Sequence, residues 1–478
     1  MTQPDPDGTM LSQALESAST NAATHLDRLR DWIRQPSCTG DPVEVAQFAA
    51  YVTDDLTVHG WQVEHLDIGV DEPHPPFILA RLNPDADRTL LLYSHYDVVP
   101  VEPLSDWDYP PFSAQQVGER IYGRGASDAK GNVLSLAIAA ETLTGLRGQP
   151  PCGIALILEG EEESGSKHLP DAIAALRRTF QPDAALSFDG GVHWSGVPKI
   201  GFGTSGMALI ELTCRNGGND LHAANGRIVP NPAWKLVWAL AAIKDATERV
   251  LVPGFDADIV PPAERDRELM DEMPWNDESL LSEAGVPGFV AGLSGRAALE
   301  RLLYSPGLTI CGLSSGYVGA AGKAVIPNEA TARLEIRIVQ GQTPERVLGQ
   351  IRRHLDDIGL ADVGLELLSS VVTAQSDPFS DIAAAVIGSA RDLYGGAVVK
   401  PTEEYAGLQG AWLGQEFGIP GVQTGVGPVR FNGHGANEFI TEQAFITGIK
   451  YAASIMTRYG AAVTAGRAAA PEDAAGAA

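Results

Sequence analysis

Apolar positions recur with helical spacing from about Leu11 to Arg34, and again from about Val43 to Leu56 after the breaker stretch PSCTGDP. Beyond them the pattern changes to short, continuously apolar runs: TLLLYSHYDVV, GIALILEGEEE and DAALSFDGG. These alternate with the helical segments NVLSLAIAAETLTGL and HLPDAIAALRRTF. Strands apolar on both faces, separated by helices, predict an α/β fold whose mostly parallel sheet is covered by helices. From about Ser205 to Thr373 the texture differs. MALIELTCRN and ATARLEIRIVQG alternate like antiparallel strands, while NPAWKLVWALAAIKDA and PERVLGQIRRHLDDIG have amphipathic helical spacing. The stretch from about Val252 to Leu293, rich in Pro, Asp and Glu, is expected to be irregular. After Asp377 the first pattern returns, with a helix over SDIAAAVIGSARDLYG. The predicted organisation is an α/β domain in two parts, 1–204 and 374–464, interrupted by an inserted α+β domain at 205–373. A low-complexity tail, 465–478, is expected to be disordered.

A chain of 478 residues is too long for one ordinary core, which agrees with two domains. Its 44% hydrophobic and 20% charged residues are those of a folded protein rather than a disordered one. The net charge of -27 repels phosphate backbones and argues against nucleic-acid binding. No apolar run reaches the roughly 18 residues a membrane span needs, and MTQPDPDGTMLSQ does not read as a secretory signal. Cys38, Cys152, Cys214 and Cys311 are scattered, without a CxxC pair. A disulfide framework is not suggested, and a reducing cytoplasm is expected.

The candidate chemistry gathers where the apolar strands stop, which is where functional groups collect in parallel sheets. His95 and Asp97 end the first strand two residues apart, so in extended backbone they point to the same side. Asp128 sits in the glycine-rich turn GRGASDAKG, either as a functional carboxylate or as a cap for the next helix; the glycine spacing is neither a dinucleotide fingerprint nor a P-loop. The run EGEEESGS follows directly on GIALIL. Carboxylates partly buried there repel one another unless a cation sits among them. Asp189 ends the next strand in SFDGG, and His434 lies between glycines in GHGANE. Histidines and carboxylates without cysteine suit a catalytic zinc or manganese pair better than a closed structural site.

Taken together, SHYDVVP, WDYPPFSAQQVGERIYGRGASDAKG, EGEEESGS, SFDGG, DLHAANGRIVPNP, VIPNEATARLEIRIV and GHGANE occur in an order that resembles the dinuclear-zinc peptidases and deacylases. That family includes carnosinase, acetylornithine deacetylase and succinyl-diaminopimelate desuccinylase; EESGS and the long VPGF excursion are most similar to its carnosinase-like dipeptidase branch. The resemblance implies a catalytic domain with an inserted lid that forms a homodimer. It also implies two divalent ions, zinc foremost with manganese or cobalt as alternatives, acting on a small peptide-like substrate. By the same resemblance Asp128 bridges the metals, His95 and Asp189 complete one, and Glu163 and His434 complete the other. Asp97 orients His95, Glu162 is the general base, and the bond after Asp128 is cis. His222 is implied to reach the partner's active site, Arg337 to anchor substrate, and Asn231 to line its pocket.

Three stretches depart from the family pattern. The lid entrance reads GFGTSGM in place of an Arg-Gly pair, and Ala324 stands where carnosinase-like enzymes carry a hydroxyl. EEYAG, residues 403–407, replaces the Gly-Gly-Ser loop that holds a substrate carboxylate. The expected activity is therefore hydrolysis of dipeptides or modified dipeptide-like substrates, with an amidated, basic or bulky C-terminal side. N-acyl-amino-acid deacylation and, more remotely, a non-catalytic binding role are the alternatives.

Overall fold

Every residue of the strands Thr89–His95, Gly153–Glu159 and Ala184–Phe188 is buried, so these runs are apolar on both faces because both faces are covered. The computed structural model describes residues 6–407 and 409–468. It divides into two compact units, one of residues 6–202, 376–400 and 409–468, the other of residues 203–375 and 401–407.

The first unit is built on an eight-stranded sheet. Four central strands run parallel: Gly153–Glu159 beside Thr89–His95, then Ala184–Phe188, then Gly421–Thr424. Antiparallel neighbours join at Ile78–Leu82 on one side and Lys199–Gly201 on the other. The register pairs His95 with Glu159, so the last residues of adjacent strands, and the loops that follow, open on the same edge. Helix Lys130–Arg147 buries Val133, Leu134, Leu136 and Ala137 in the main core, shared with Phe445 and Ile449 of helix Glu442–Ala468.

Several expected boundaries shift. The helical stretch near the start is two helices, Pro6–Thr20 and Ala22–Ile33, and the next runs Pro42–Val58 with Asp41 accepting from the backbone N–H of Val43 and Glu44. Helix Glu442–Ala468 extends into the stretch expected to be disordered, and residues 469–478 lie outside the described residues.

In the second unit, strands Gly307–Ser315, Glu329–Ile338, Gly203–Arg215 and Gly364–Val371 form an antiparallel sheet in that order. Its core joins Ile210, Leu212, Leu334 and Ile336 to Leu236 and Ala239 of helix Pro232–Ile243 and Ile351 of helix Pro344–Asp357. Two differences from expectation stand out. The Pro- and acid-rich excursion contains helices Glu264–Glu272 and Asp277–Ala284. Asn276 caps the second, and buried Met270 on the first packs with Leu299, Leu303 and Tyr304. An apolar anchor and a cap give order to a stretch whose composition alone suggests none. Residues Glu403–Ala406 of EEYAG form a short strand parallel to Gly203–Arg215 rather than a loop.

All four cysteines are free thiols. Burial first, and then Glu44, pushes Cys38 up to about 12, and burial pushes Cys152 up to about 12; Cys311 is exposed. At about pH 8 a thiol so raised is almost wholly protonated and unreactive. Iodoacetamide is therefore expected to label Cys311 of the folded chain first, read by peptide mass spectrometry. Labelling of Cys38 or Cys152 as fast as Cys311 would contradict this burial.

Candidate metal centre

The centre is assembled from the ends of three parallel strands. His95 is the last residue of its strand, Asp189 follows the strand Ala184–Phe188, and Glu162 and Glu163 lie in the 3-10 turn after Gly153–Glu159. Gly160 is required just before that turn: a Cβ there would lie 2.6 Å from the Tyr96 ring. Asp128 ends the turn before helix Lys130–Arg147 and does not cap it; the cap position is Ala129, and the Asp128–Ala129 peptide bond is cis.

Two groups of ligand atoms form. His95 Nε2 lies 3.2 Å from Asp128 Oδ1 and 3.3 Å from Asp189 Oδ1. His434 Nε2 lies 3.4 Å from Asp128 Oδ2 and 3.2 Å from Glu163 Oε2. In each group the ligand atoms lie within 4.8 Å of one another, and Asp128 supplies one oxygen to each. His95 Nε2 and Glu163 Oε1 are buried without a hydrogen-bond partner. A buried imidazole nitrogen left unpaired beside carboxylates, in a set with no sulfur, is a donor arrangement that fits two divalent cations.

Asp97, fully buried, ties three parts of this edge together. Its Oδ1 lies 3.3 Å from His95 Nδ1 and accepts from the Glu162 N–H at 3.2 Å, while Oδ2 accepts from the Glu163 N–H at 3.2 Å. His95 Nδ1 also lies 3.1 Å from the Asp97 carbonyl oxygen. With its second nitrogen occupied in this way, the ring presents Nε2 to the carboxylates.

The electrostatics are those of crowded carboxylates. Burial, reinforced by Asp189, Glu163 and Asp128 and opposed by His95, pushes the Glu162 carboxyl up to about 8. Asp128 is held well below the usual carboxylate range by His434 and His95, against its burial. Hydrogen bonds to Asp128 and Glu163 push His434 up to about 10.

Other predicted residues lie in the second unit. His222 is exposed, its Nδ1 accepting from the Ala224 N–H at 3.1 Å. Asn231 caps helix Pro232–Ile243, its Oδ1 accepting from the Ala233 N–H at 2.8 Å. Arg337 pairs with Glu335 at 2.8 Å and keeps Nη1 buried without a hydrogen-bond partner.

Three residues here carry no role in the sequence reading. Fully buried Glu438 accepts from Arg124 Nη1 at 2.8 Å and from the N–H groups of Gly125, Ser127 and Asp128 at 3.1, 3.0 and 3.1 Å. It thereby fixes the turn that carries Asp128. Gln409 Nε2 donates to Glu162 Oε1 at 3.0 Å and to Asp189 Oδ2 at 2.7 Å, and Gln423 Nε2 donates to Gln409 Oε1 at 2.5 Å. Glu438 stands in the sequence as an acid inside the GHGANE motif. Gln409 and Gln423 lie in no comparable motif.

A model of Peptidase family M20/M25/M40 matches residues 91–458. Beta-Ala-His dipeptidase of Homo sapiens is 27% identical over 373 residues, 74% of this chain and 73% of that protein. Cys-Gly metallodipeptidase DUG1 of Candida albicans is 25% identical over 463 residues, 91% of this chain and 95% of that protein. Among solved structures, the M20 family metallo-carboxypeptidase Sso-CP2 from Sulfolobus solfataricus is similar at a TM-score of 0.83 and 28% identity. That match covers 91% of this chain and 99% of the other.

Proposed function

The chain belongs to Peptidase family M20/M25/M40, and from that premise we propose that it is a dinuclear-metal hydrolase of the amide bond in dipeptides or modified dipeptide-like substrates. The observation that carries this reading is the pair of ligand groups sharing Asp128, with the Glu162 carboxylate linked to one of them through Gln409. His95 and Asp189 would hold one ion and Glu163 and His434 the other, with Asp128 offering an oxygen to each group. Zinc is the proposed metal, with manganese or cobalt accepted by the same donors. When bound, two such ions supply the Lewis acidity that acidifies water and polarises a carbonyl.

The chain's own residues do the rest. Glu162 removes a proton from the attacking water and returns it to the departing amine nitrogen, a task suited to a carboxyl that stands beside both ligand groups and belongs to neither. Asp97 orients His95 and, through two backbone N–H groups, aligns the turn bearing Glu162 and Glu163. His222, Arg337 and Asn231 contact substrate, with His222 serving the partner's site in a homodimer formed through the inserted domain. Among the described residues no helix is long and apolar enough to cross a membrane. Four free cysteines fit a cytoplasmic enzyme.

The test is turnover of free dipeptides, dipeptide amides and N-acyl amino acids by the purified chain. With EEYAG in place of a carboxylate-binding loop, dipeptide amides are expected to be cleaved faster than free dipeptides. Faster cleavage of the free dipeptides would reject that specificity, and preferred N-acyl amino acids would make the chain a deacylase. Dialysis against a chelator is expected to abolish turnover and zinc or manganese to restore it; turnover that survives complete metal removal would contradict the metal reading.

A further inference from the structure

Gln409 stands at the cap position of helix Gly410–Phe417, yet its side chain makes no cap hydrogen bond. The amide is turned toward the carboxylates instead. Its nitrogen carries two N–H groups, and the acceptors in reach are Glu162 Oε1 at 3.0 Å and Asp189 Oδ2 at 2.7 Å. On the other side Gln409 Oε1 accepts from Gln423 Nε2 at 2.5 Å. This chain of bonds fixes which way the amide faces. Turned over, it would set its carbonyl oxygen against two carboxylates and its NH2 against another donor.

The backbone is shaped to hold this arrangement. Gln423 lies in strand Gly421–Thr424, between Ser187 of one neighbouring strand and Gly201 of the other. A Cβ on Gly410 would lie 2.8 Å from the Gln423 backbone nitrogen, and one on Gly421 would lie 2.1 Å from the Gly410 carbonyl oxygen. Glycine at these two positions lets the helix start lie directly on the strand, which brings the glutamines together. Both are buried, at 8% and 7% exposure, where an unpaired amide would be costly.

We propose that Gln409, locked by Gln423, is a positioning residue that sets the location of the Glu162 carboxylate relative to the Asp189 metal ligand. The inference rests on the proposed function, since it takes Glu162 as the general base. One nitrogen bonded to both carboxylates fixes their separation, and as a neutral donor it does so without the charge a lysine would bring. Misplacing a reacting group by about 1 Å can cost about 100-fold in rate, so the signature is a loss in kcat rather than in substrate affinity.

The experiment compares wild type with Gln409→Met, Gln423→Met, the double variant and Gln409→His. It measures kcat and KM on the best substrate of the panel, and zinc affinity by competition with a chelator. Gln409→Met is expected to lower kcat by about 10–100-fold and to weaken zinc binding, because Asp189 loses its tie, while KM stays within about threefold. Gln423→Met is expected to do less, the double variant no more than Gln409→Met alone, and Gln409→His, which keeps one N–H, to recover part of the loss. A Gln409→Met enzyme with kcat and zinc affinity within about twofold of wild type, independent losses that multiply in the double variant, or a histidine variant no better than methionine would each overturn the proposal. If wild type cleaves nothing in the panel, it is the proposed function that fails. Zinc affinity then decides alone whether Gln409 positions Asp189: weakened in Gln409→Met supports it, unchanged overturns it.

Discussion

Replacing Glu162 by alanine is expected to lower kcat by about 10²–10⁴-fold, the usual contribution of a positioned general base. The chain should stay folded with both metals bound. Glu162 belongs to neither group of ligand atoms. Its backbone N–H, which donates to Asp97 at 3.2 Å, survives the substitution, so the turn is still held and Glu163 still faces His434. Removing a carboxylate from a crowded acidic cluster relieves repulsion, which offsets the loss of an acceptor for Gln409, so stability should hold. Steady-state kinetics and metal analysis on the same preparation check both halves. A Glu162→Ala enzyme within tenfold of wild type would remove Glu162 from the chemistry, and one that has lost its metals would make it a ligand rather than a base.

The largest loss of stability is expected from Glu438→Ala. The carboxylate takes four hydrogen bonds, from the Arg124 guanidinium and three backbone N–H groups. Arg124 is itself only 2% exposed, so the substitution leaves a buried cation unpaired and the turn before Asp128 without its acceptor. Breaking a buried pair from one side costs about 3–5 kcal/mol. Urea unfolding of the apo chain is the measurement, with Glu438→Gln expected to lose less because its amide oxygen still accepts from backbone. A Glu438→Ala chain destabilised by less than about 1 kcal/mol would mean that the turn is held by something else. The proposed metal site should suffer with it, since Asp128 is common to both candidate ligand groups.

The parts of this centre that the sequence reveals are those with a short-range signature. His95, Glu162, Glu163 and Asp189 stand where strongly apolar strands end, and polar groups at such ends are conspicuous against what precedes them. Asp128 and His434 are marked by surrounding glycines. Gln409 lies in no such pattern: its role depends on helix Gly410–Phe417 lying flush on Gly421–Thr424, a long-range packing contact that spacing along the chain does not encode. The excursion helices escape notice for a related reason, since Met270 is buried only because Leu299 and Leu303 come back to meet it. Glu403–Ala406 resembles a loop by its place in the motif order, yet pairing with Gly203–Arg215 makes it a strand. Local patterns mark where groups can act; partners brought from far along the chain settle how they are held.

The central claim is that Asp128 joins two metal sites. Its most direct measurement is the metal content of the purified chain after reconstitution with excess zinc and removal of loosely bound ions, read by plasma mass spectrometry. Two equivalents per chain is the predicted result, from two ligand groups that share one carboxylate. A stoichiometry of one or none in folded protein would contradict it.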